Sequence, residues 1–482
     1  MMLYTAALLV PALTGWLMVR ALSGSSRRLC AHDWWRALFG IGAGIGIGSC
    51  CLFLSLCLGL PLFALELAGL AGAASIWLLR APQTCAICAQ VEGKQPPYST
   101  MLFWTAFAVL GAAGIYAFWL SSAQAPDGGW DAWSIWNLRA RFLLRGGPHW
   151  RDAFSQGLYW SHPDYPLLLP GAVAHNWKWI GQDLSSAPAA LAFAFTFGTA
   201  GLLAASLACL RNLRLGLVAG IFLLATPGYI EQGASQYADV PLSFFILATF
   251  TLLAMADGFP ASSTGLTVLA GFAAACAAWT KNEGQLFLAS VLATHFAVSA
   301  YAPPRRGAVR RSLWFVAGAL PVLCVLLYFR MTLAPATDLF AGSHGSIAAR
   351  VFEGKRYVAI AGAMLEHLWN FGGLAVPPFL LLAAYVGLAG FGQDLKYRKS
   401  VISAAAALGL CLAGFGVVYL LSPGDLEWRL NTSLSRLFMQ LWPGTIFAAL
   451  LLTRAPRLSK SPEQPCGIKG AKQRRKSTAK AR

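Results

Sequence analysis

Charge is scarce in this chain. Only 12% of its 482 residues are Asp, Glu, Lys or Arg, and 19 acidic residues stand against 37 basic ones. Water-soluble domains devote about a quarter of their residues to charge, so a soluble globular protein is excluded. The short segments of alternating polarity that build a transmembrane β-barrel are absent as well. No internal repeat is found, whereas secondary transporters commonly show one. What the chain has instead is apolar residue: 57% of it is hydrophobic and the mean hydropathy is +0.58. Repeated apolar runs of about 18 residues or more are long enough to cross the hydrocarbon of a bilayer as helix. The fold class is therefore an all-α polytopic membrane protein.

The runs predict about thirteen spans, near residues 3–20, 37–58, 60–79, 101–120, 187–210, 214–229, 239–256, 263–280, 284–301, 312–330, 371–391, 399–420 and 437–453. An odd number puts the termini on opposite sides, and the tail IKGAKQRRKSTAKAR is basic enough to place the C-terminus in the cytoplasm and the N-terminus outside. The other loops agree. Arg20, Arg27, Arg28, Arg36, Arg305, Arg306, Arg310, Arg311, Lys396, Arg398 and Lys399 fall inside. The loops 121–186, 227–238, 281–283, 331–370 and 421–436 fall outside, so the long polar loops share one face of a cell (inner) membrane. The first run has no basic residue before it and no good cleavage signal, and reads as a retained span.

This topology absorbs most of the formal charge of +18. The tail after Arg454 has no aromatic or motif that would read nucleic acid, and reads as a disordered, solvated segment touching anionic lipid over residues 457–482. None of the 11 cysteines falls in an outer loop, which excludes a disulfide framework. Cys85 and Cys88 form a lone CxxC without the four ligands of a zinc site. Glu366 and His367 are likewise too few for a metal site.

The most polar part of the chain is the loop 121–186. Gly128-Gly129 release the chain into a helical pattern from Trp130 to Leu144, in which Trp133, Trp136 and Phe142 would anchor a helix along the membrane surface. Pro163, Pro166 and Pro170 punctuate the next stretch, so His162 and Asp164 should be accessible on extended or turning backbone rather than inside a helix. A second surface helix is expected near 167–180. Asp239 stands at the mouth of the span after the turn GYIEQGASQYADVP. Lys281 and Glu283 interrupt an otherwise apolar hairpin, where ionisable groups need partners or a watery cavity.

The pieces GGWDAWSIWNLRARFLLRGG, SHPDYPLLLPG, LATPGYIEQGASQYADVPLSFF and AAWTKNEGQLFL, in this order and on one side, resemble the C-type glycosyltransferases (the GT-C fold). The nearest families are the protein O-mannosyltransferase-like family 39 and the lipid A aminoarabinose transferases. The resemblance covers roughly residues 101–300 and makes them a catalytic core with a large extracytoplasmic first loop carrying surface helices. Residues 1–100 form a three-span extension without counterpart, and 301–456 are C-terminal spans. Family members commonly carry paired acids where this chain has Asp131-Ala132.

The resemblance implies a sugar donor on a polyprenyl phosphate and an acceptor outside the cytoplasm. Such a transfer needs a base for the acceptor hydroxyl and cations for the departing phosphate. It gives Asp131 the role of base, beside Trp130 and Trp133, which could stack on sugar faces. The position after Gly-Gly equally suits a helix N-cap. Asp239 is a second acid, orienting the acceptor or helping to hold a divalent ion, or else capping its span. His162 and Asp164 are candidates for substrate binding, or are turn formers. Lys281 is the first candidate for the phosphate, with Arg139, Arg141, Arg429 and Arg436 next; snorkelling, or pairing with Glu283, Asp425 or Glu427, is the competing account of each cation.

Two other functions fit the composition. A transporter or flippase of lipid-linked or small substrates would place its ionisable residues near the bilayer midplane, whereas these collect at the ends of spans. An oligosaccharide polymerase or ligase would use Arg350, Lys355 and Arg356 of the loop 331–370.

Overall fold

The computed structural model describes residues 2–24, 33–79, 97–300, 305–337, 347–392 and 395–454. Cys85, Cys88 and the basic tail lie outside the described residues. Within them the chain is almost entirely helical, without a strand and with one isolated bridge, Phe391 to Thr453. Among the described residues nine helices are long and apolar enough to cross a bilayer, or up to eleven if each of two bent pairs is one span. The chain thus has the make-up of a multi-pass membrane protein.

The helices are α1 (Met2–Ser23), α2 (Trp34–Leu58), α3 (Leu62–Leu79), α4 (Pro97–Gln124), α5 (Asn137–Arg145), α6 (Leu168–Ile180), α7 (Ser186–Leu210), α8 (Leu213–Leu224) and α9 (Pro227–Ala234). They continue as α10 (Asp239–Gly258), α11 (Ser263–Thr280), α12 (Asn282–Ala300), α13 (Arg305–Thr332), α14 (Ile347–Val351), α15 (Gly354–Trp369), α16 (Pro378–Ala389), α17 (Arg398–Leu421) and α18 (Leu426–Leu451).

The expected span 3–20 is α1, 22 residues long, several of whose first side chains lie outside the described residues, so α1 is not counted among the nine. The other differences from thirteen have local reasons. Asn282, Glu283, Gln285 and His295 dilute the apolar residues of α12, which is not among the nine. The expected span 214–229 is instead α8 and α9, bent by 67° where Pro227 removes a backbone donor. The expected span 371–391 is the short α16, bent by 82° from α15 across Gly372, Gly373 and Pro377.

α10 is the central helix. Its whole apolar window is buried, against 17% for α3 and 11% for α4, whose side chains face outward as lipid-facing residues would. Around α10 pack α7, α11 and α18, while α11 leans on α13 and α12 on α17. Small residues permit the closest of these approaches. A Cβ on Gly271 would stand 1.9 Å from the Phe315 carbonyl oxygen, and one on Gly318 would stand 1.9 Å from that of Val268, so α11 and α13 touch backbone to backbone.

The N-terminal helices α1 and α2 meet the same way, at Gly15 and Gly44, and α2 rests on α6 and α7. α3 buries only Leu62, Glu66 and Ala73. Glu66 ties it to the bundle, taking the Trp179 indole N–H at 3.0 Å and pairing with His175 Nε2.

Two expectations for the loop 121–186 change. Trp136 is not a surface anchor but is 1% exposed, stacked on Tyr165 at 5.7 Å. α6 is not a surface helix either, because every residue from Leu168 to Trp177 is buried against α2, α5 and α7. Both segments are helical as the apolar pattern predicts, yet that pattern does not say whether lipid or protein covers them.

The bundle has two chemically different ends. α10 starts at Asp239 and ends beside Asp257, which pairs with Arg311 and accepts a hydrogen bond from Ser400. Arg20, Arg36, Arg311 and Lys399 therefore gather near one end, and Asp131, Asp239 and Lys281 at the other.

Candidate functional site

The second of these ends begins with a turn. Gly128 has a φ of +76°, the Gly129 amide donates to the Ser235 carbonyl at 3.1 Å, and Gln236 donates to the Pro126 carbonyl at 3.0 Å. A Cβ on Gly129 would stand 2.5 Å from the Tyr237 hydroxyl, so the Gly-Gly pair lets this turn lie on the segment before α10. The helix leaving the turn runs in π geometry from Ala132 to Trp136 before becoming α5. Such π segments are rare and concentrate at functional sites.

Asp131 stands at the start of this π segment and makes no capping hydrogen bond. Its Oδ2 instead accepts from Arg436 Nη2 of α18 at 2.6 Å, and its Oδ1 has no partner among the described residues. The cap reading is therefore replaced by an ion pair across 305 positions of sequence.

Arg436 also holds Asp239. Its Nη2 and Nε lie 2.8 and 3.1 Å from Asp239 Oδ2. The other oxygen, Oδ1, accepts from Lys281 Nζ at 3.0 Å and from Gln440 Nε2 at 2.5 Å. Asp239 is 0% exposed and so is not at an interface with water, and its side chain serves these cations rather than capping α10. Lys281 bridges onward to Glu283 Oε1 at 3.0 Å. Burial by itself would lower the Lys281 pKa, but Asp239 and Glu283 outweigh that and hold it above an ordinary lysine.

Beside this chain of charges lies a second group. Asp164 is 4% exposed, contrary to the expected accessibility, and accepts from Asn282 Nδ2 at 2.7 Å. Arg330 of α13 donates to the Asp164 carbonyl at 2.7 Å and to Asn282 Oδ1. His162 takes the left-handed conformation and stacks on Tyr165 at 4.9 Å, and the Lys281 ammonium lies 5.8 Å from the same Tyr165 ring. Tyr237 faces the Arg436 guanidinium at 4.5 Å, and burial together with the Asp131 carboxylate raises its phenol.

The structure thus brings Asp131, Asp239, Lys281, Glu283 and Arg436 into one network, with Asp164 and His162 at its flank. Trp130 and Trp133 pack edge to face at 4.5 Å and remain exposed next to Asp131.

Four arginines fall elsewhere. Arg139 is 1% exposed and spends its guanidinium on the carbonyls of Ser161, His162 and Tyr165, clamping the proline-rich turn; burial lowers its pKa to about 10. Arg141 pairs with Asp183 at 3.4 Å and Asp127 at 3.8 Å. Arg429 reaches Ser422 Oγ at 3.5 Å, and neither Asp425 nor Glu427 pairs with it. Asp425 instead caps α18. Arg356 donates to the Tyr419 and Ser422 carbonyls at the end of α17, which is a helix-terminus role.

Sequence reasoning missed Gln440, Asn282 and Arg330. Gln440 had a signal, since it lies one helical turn beyond Arg436 and shares its face. Arg330 had none beyond its place at the end of a span.

The residues do not fit a divalent ion. Both Asp239 oxygens are saturated by Arg436, Lys281 and Gln440, and the Arg436 guanidinium occupies the place between the two aspartates where a shared ion would sit. Among the described residues no group of three or more His, Cys, Asp and Glu side chains is placed to hold a metal. Comparison with protein-family models, with curated proteins and with solved structures finds no match.

Proposed function

We propose that the chain is a membrane glycosyltransferase that moves a sugar from a polyprenyl-phosphate donor to an acceptor on the extracytoplasmic face, with Asp131 as general base. One observation carries the reading. Asp131 is a partly exposed carboxylate with one oxygen held by Arg436 and the other free, beside two exposed tryptophans.

Fixing Oδ2 orients the side chain, while the free Oδ1 can accept the proton of an acceptor hydroxyl as that oxygen attacks the anomeric carbon. Trp130 and Trp133 offer apolar faces to sugar rings. The partly exposed Arg436 guanidinium, 18% by its side chain, is the cation best placed for the leaving phosphate. Lys281 is the inner support of that cation's partner, since it is buried and already paired with Asp239 and Glu283. The clustering of basic residues at the opposite end of the bundle supports an extracytoplasmic site.

The test is turnover of purified protein supplied with polyprenyl-phosphate sugars and candidate acceptors. Asp131→Asn should bind donor and fold normally, yet lose about a hundredfold or more in rate, the usual scale of a general base. Near-normal turnover by that variant would remove Asp131 from the chemistry. Absence of any sugar transfer by wild type, across mannosyl, aminoarabinosyl and glucosyl donors, would overturn the assignment.

A further inference from the structure

A cavity of about 310 Å³ lies at the end of the bundle opposite the candidate site, between the ends of α10 and α12 and the starts of α11, α13 and α17. α10 alone is 20 residues long, so about 30 Å of helix separates the two places. The cavity plays no part in the proposed transfer.

Its walls are cationic. Arg310, Arg311 and Lys399 line it against one carboxylate, Asp257. That carboxylate is already committed, to Arg311 through one oxygen and to Ser400 Oγ at 2.6 Å through the other. Arg310 and Lys399 are exposed and make no ion pair among the described residues.

Backbone adds to this charge. Three helices begin at the cavity and two end there, so the macrodipoles leave a small positive excess. Neither α11 nor α17 carries a side-chain cap, which leaves their leading N–H groups unspent on side chains. Deeper in, His295 is 7% exposed and its Nε2 has no hydrogen-bond partner, an expensive state for a buried polar atom unless something fills the cavity beside it. Below it the lining turns apolar at Phe250 and Leu253.

We infer that this cavity binds a phosphate-bearing anion, whose oxygens meet Arg310, Lys399 and the helix starts while His295 meets the same ligand from below. The chemistry is shared by an acidic phospholipid headgroup and by free phosphate. Basic pockets between membrane helices hold acidic headgroups by the same interactions, and the apolar floor would suit the start of an acyl chain.

The experiment uses the full chain, delipidated in detergent, and counts bound ligand by native mass spectrometry. The probes are phosphatidylglycerol, phosphatidylcholine and inorganic phosphate, and the comparison is the double variant Arg310→Ala with Lys399→Ala. Both side chains are exposed and make no ion pair among the described residues, so the variant should melt with wild type. One phosphatidylglycerol should be retained by wild type and weakened about thirtyfold by the double variant, the scale expected for two cations at a headgroup, with phosphatidylcholine binding unchanged. Displacement of phosphatidylglycerol by millimolar phosphate, or retention of phosphate alone, would assign the site to a soluble phosphate. Failure of wild type to hold either probe more tightly than the double variant would overturn the proposal.

Discussion

Arg436 holds two carboxylates from two distant segments, and one of them, Asp239, has no access to water. Removing the guanidinium leaves a buried charge half compensated, so Arg436→Met should cost about 3–5 kcal/mol of stability, whereas Gln440→Leu, which removes one hydrogen bond to the same carboxylate, should cost about 1–3 kcal/mol. Thermal unfolding in detergent checks the order, and equal losses would mean that Asp239 leans no more on Arg436 than on Gln440. Lys281 adds a pH dependence. Its pKa is raised in the folded state, so its contribution is complete below the unfolded lysine value of about 10.4 and fades as pH rises through the folded one. The melting-temperature gap between wild type and Lys281→Met should therefore be constant from about pH 6 to 9 and narrow above about pH 10. A gap that narrows on the acid side instead would show that a carboxylate, not the ammonium, sets it.

At the scale of elements, polar residues decide what apolar ones cannot. α3 buries little and its apolar side chains would be as content in lipid as against protein, so Glu66 is its main specific attachment. Glu66→Leu leaves His175 Nε2 and the Trp179 indole N–H without their carboxylate and should cost about 1–3 kcal/mol per group in unfolding measurements, while Glu66→Gln keeps an acceptor and should cost less. Indistinguishable leucine and wild-type proteins would show that α3 is held by packing alone. Much of this level is legible in the sequence. Long apolar runs mark most spans because lipid tolerates only backbone whose hydrogen bonds are internally satisfied. The bends at Pro227 and at Gly372-Gly373 are marked by their residues, but not how far the chain turns there.

For the whole molecule, the clustering of unbalanced basic residues at one end predicts a fixed orientation. Cysteine probes introduced at the exposed positions Gln156 and Arg398 should respond oppositely to an impermeant reagent applied to intact cells: Gln156→Cys labelled, Arg398→Cys protected until the membrane is opened. The reverse pattern would put the Asp131 network in the cytoplasm and with it remove the case for an exported lipid-linked donor.

Composition by itself determined that the chain is helical and apolar enough for many spans, since both properties arise from local residue content and the period of the helix. Ionisable groups at the ends of apolar runs made Asp239, Lys281 and Glu283 conspicuous, while the family resemblance pointed to Asp131 and the outer side of the topology to Arg436. Only the tertiary structure decided what they do to one another. Whether Asp131 caps a helix or pairs with Arg436, and whether Arg139 is free for a phosphate or clamps a turn, depends on contacts between residues far apart in sequence. The same limit applies to burial. Trp136, Asp164 and the helix α6 read as surface features because polarity alone cannot distinguish a side chain facing water from one whose polar groups are satisfied inside the protein.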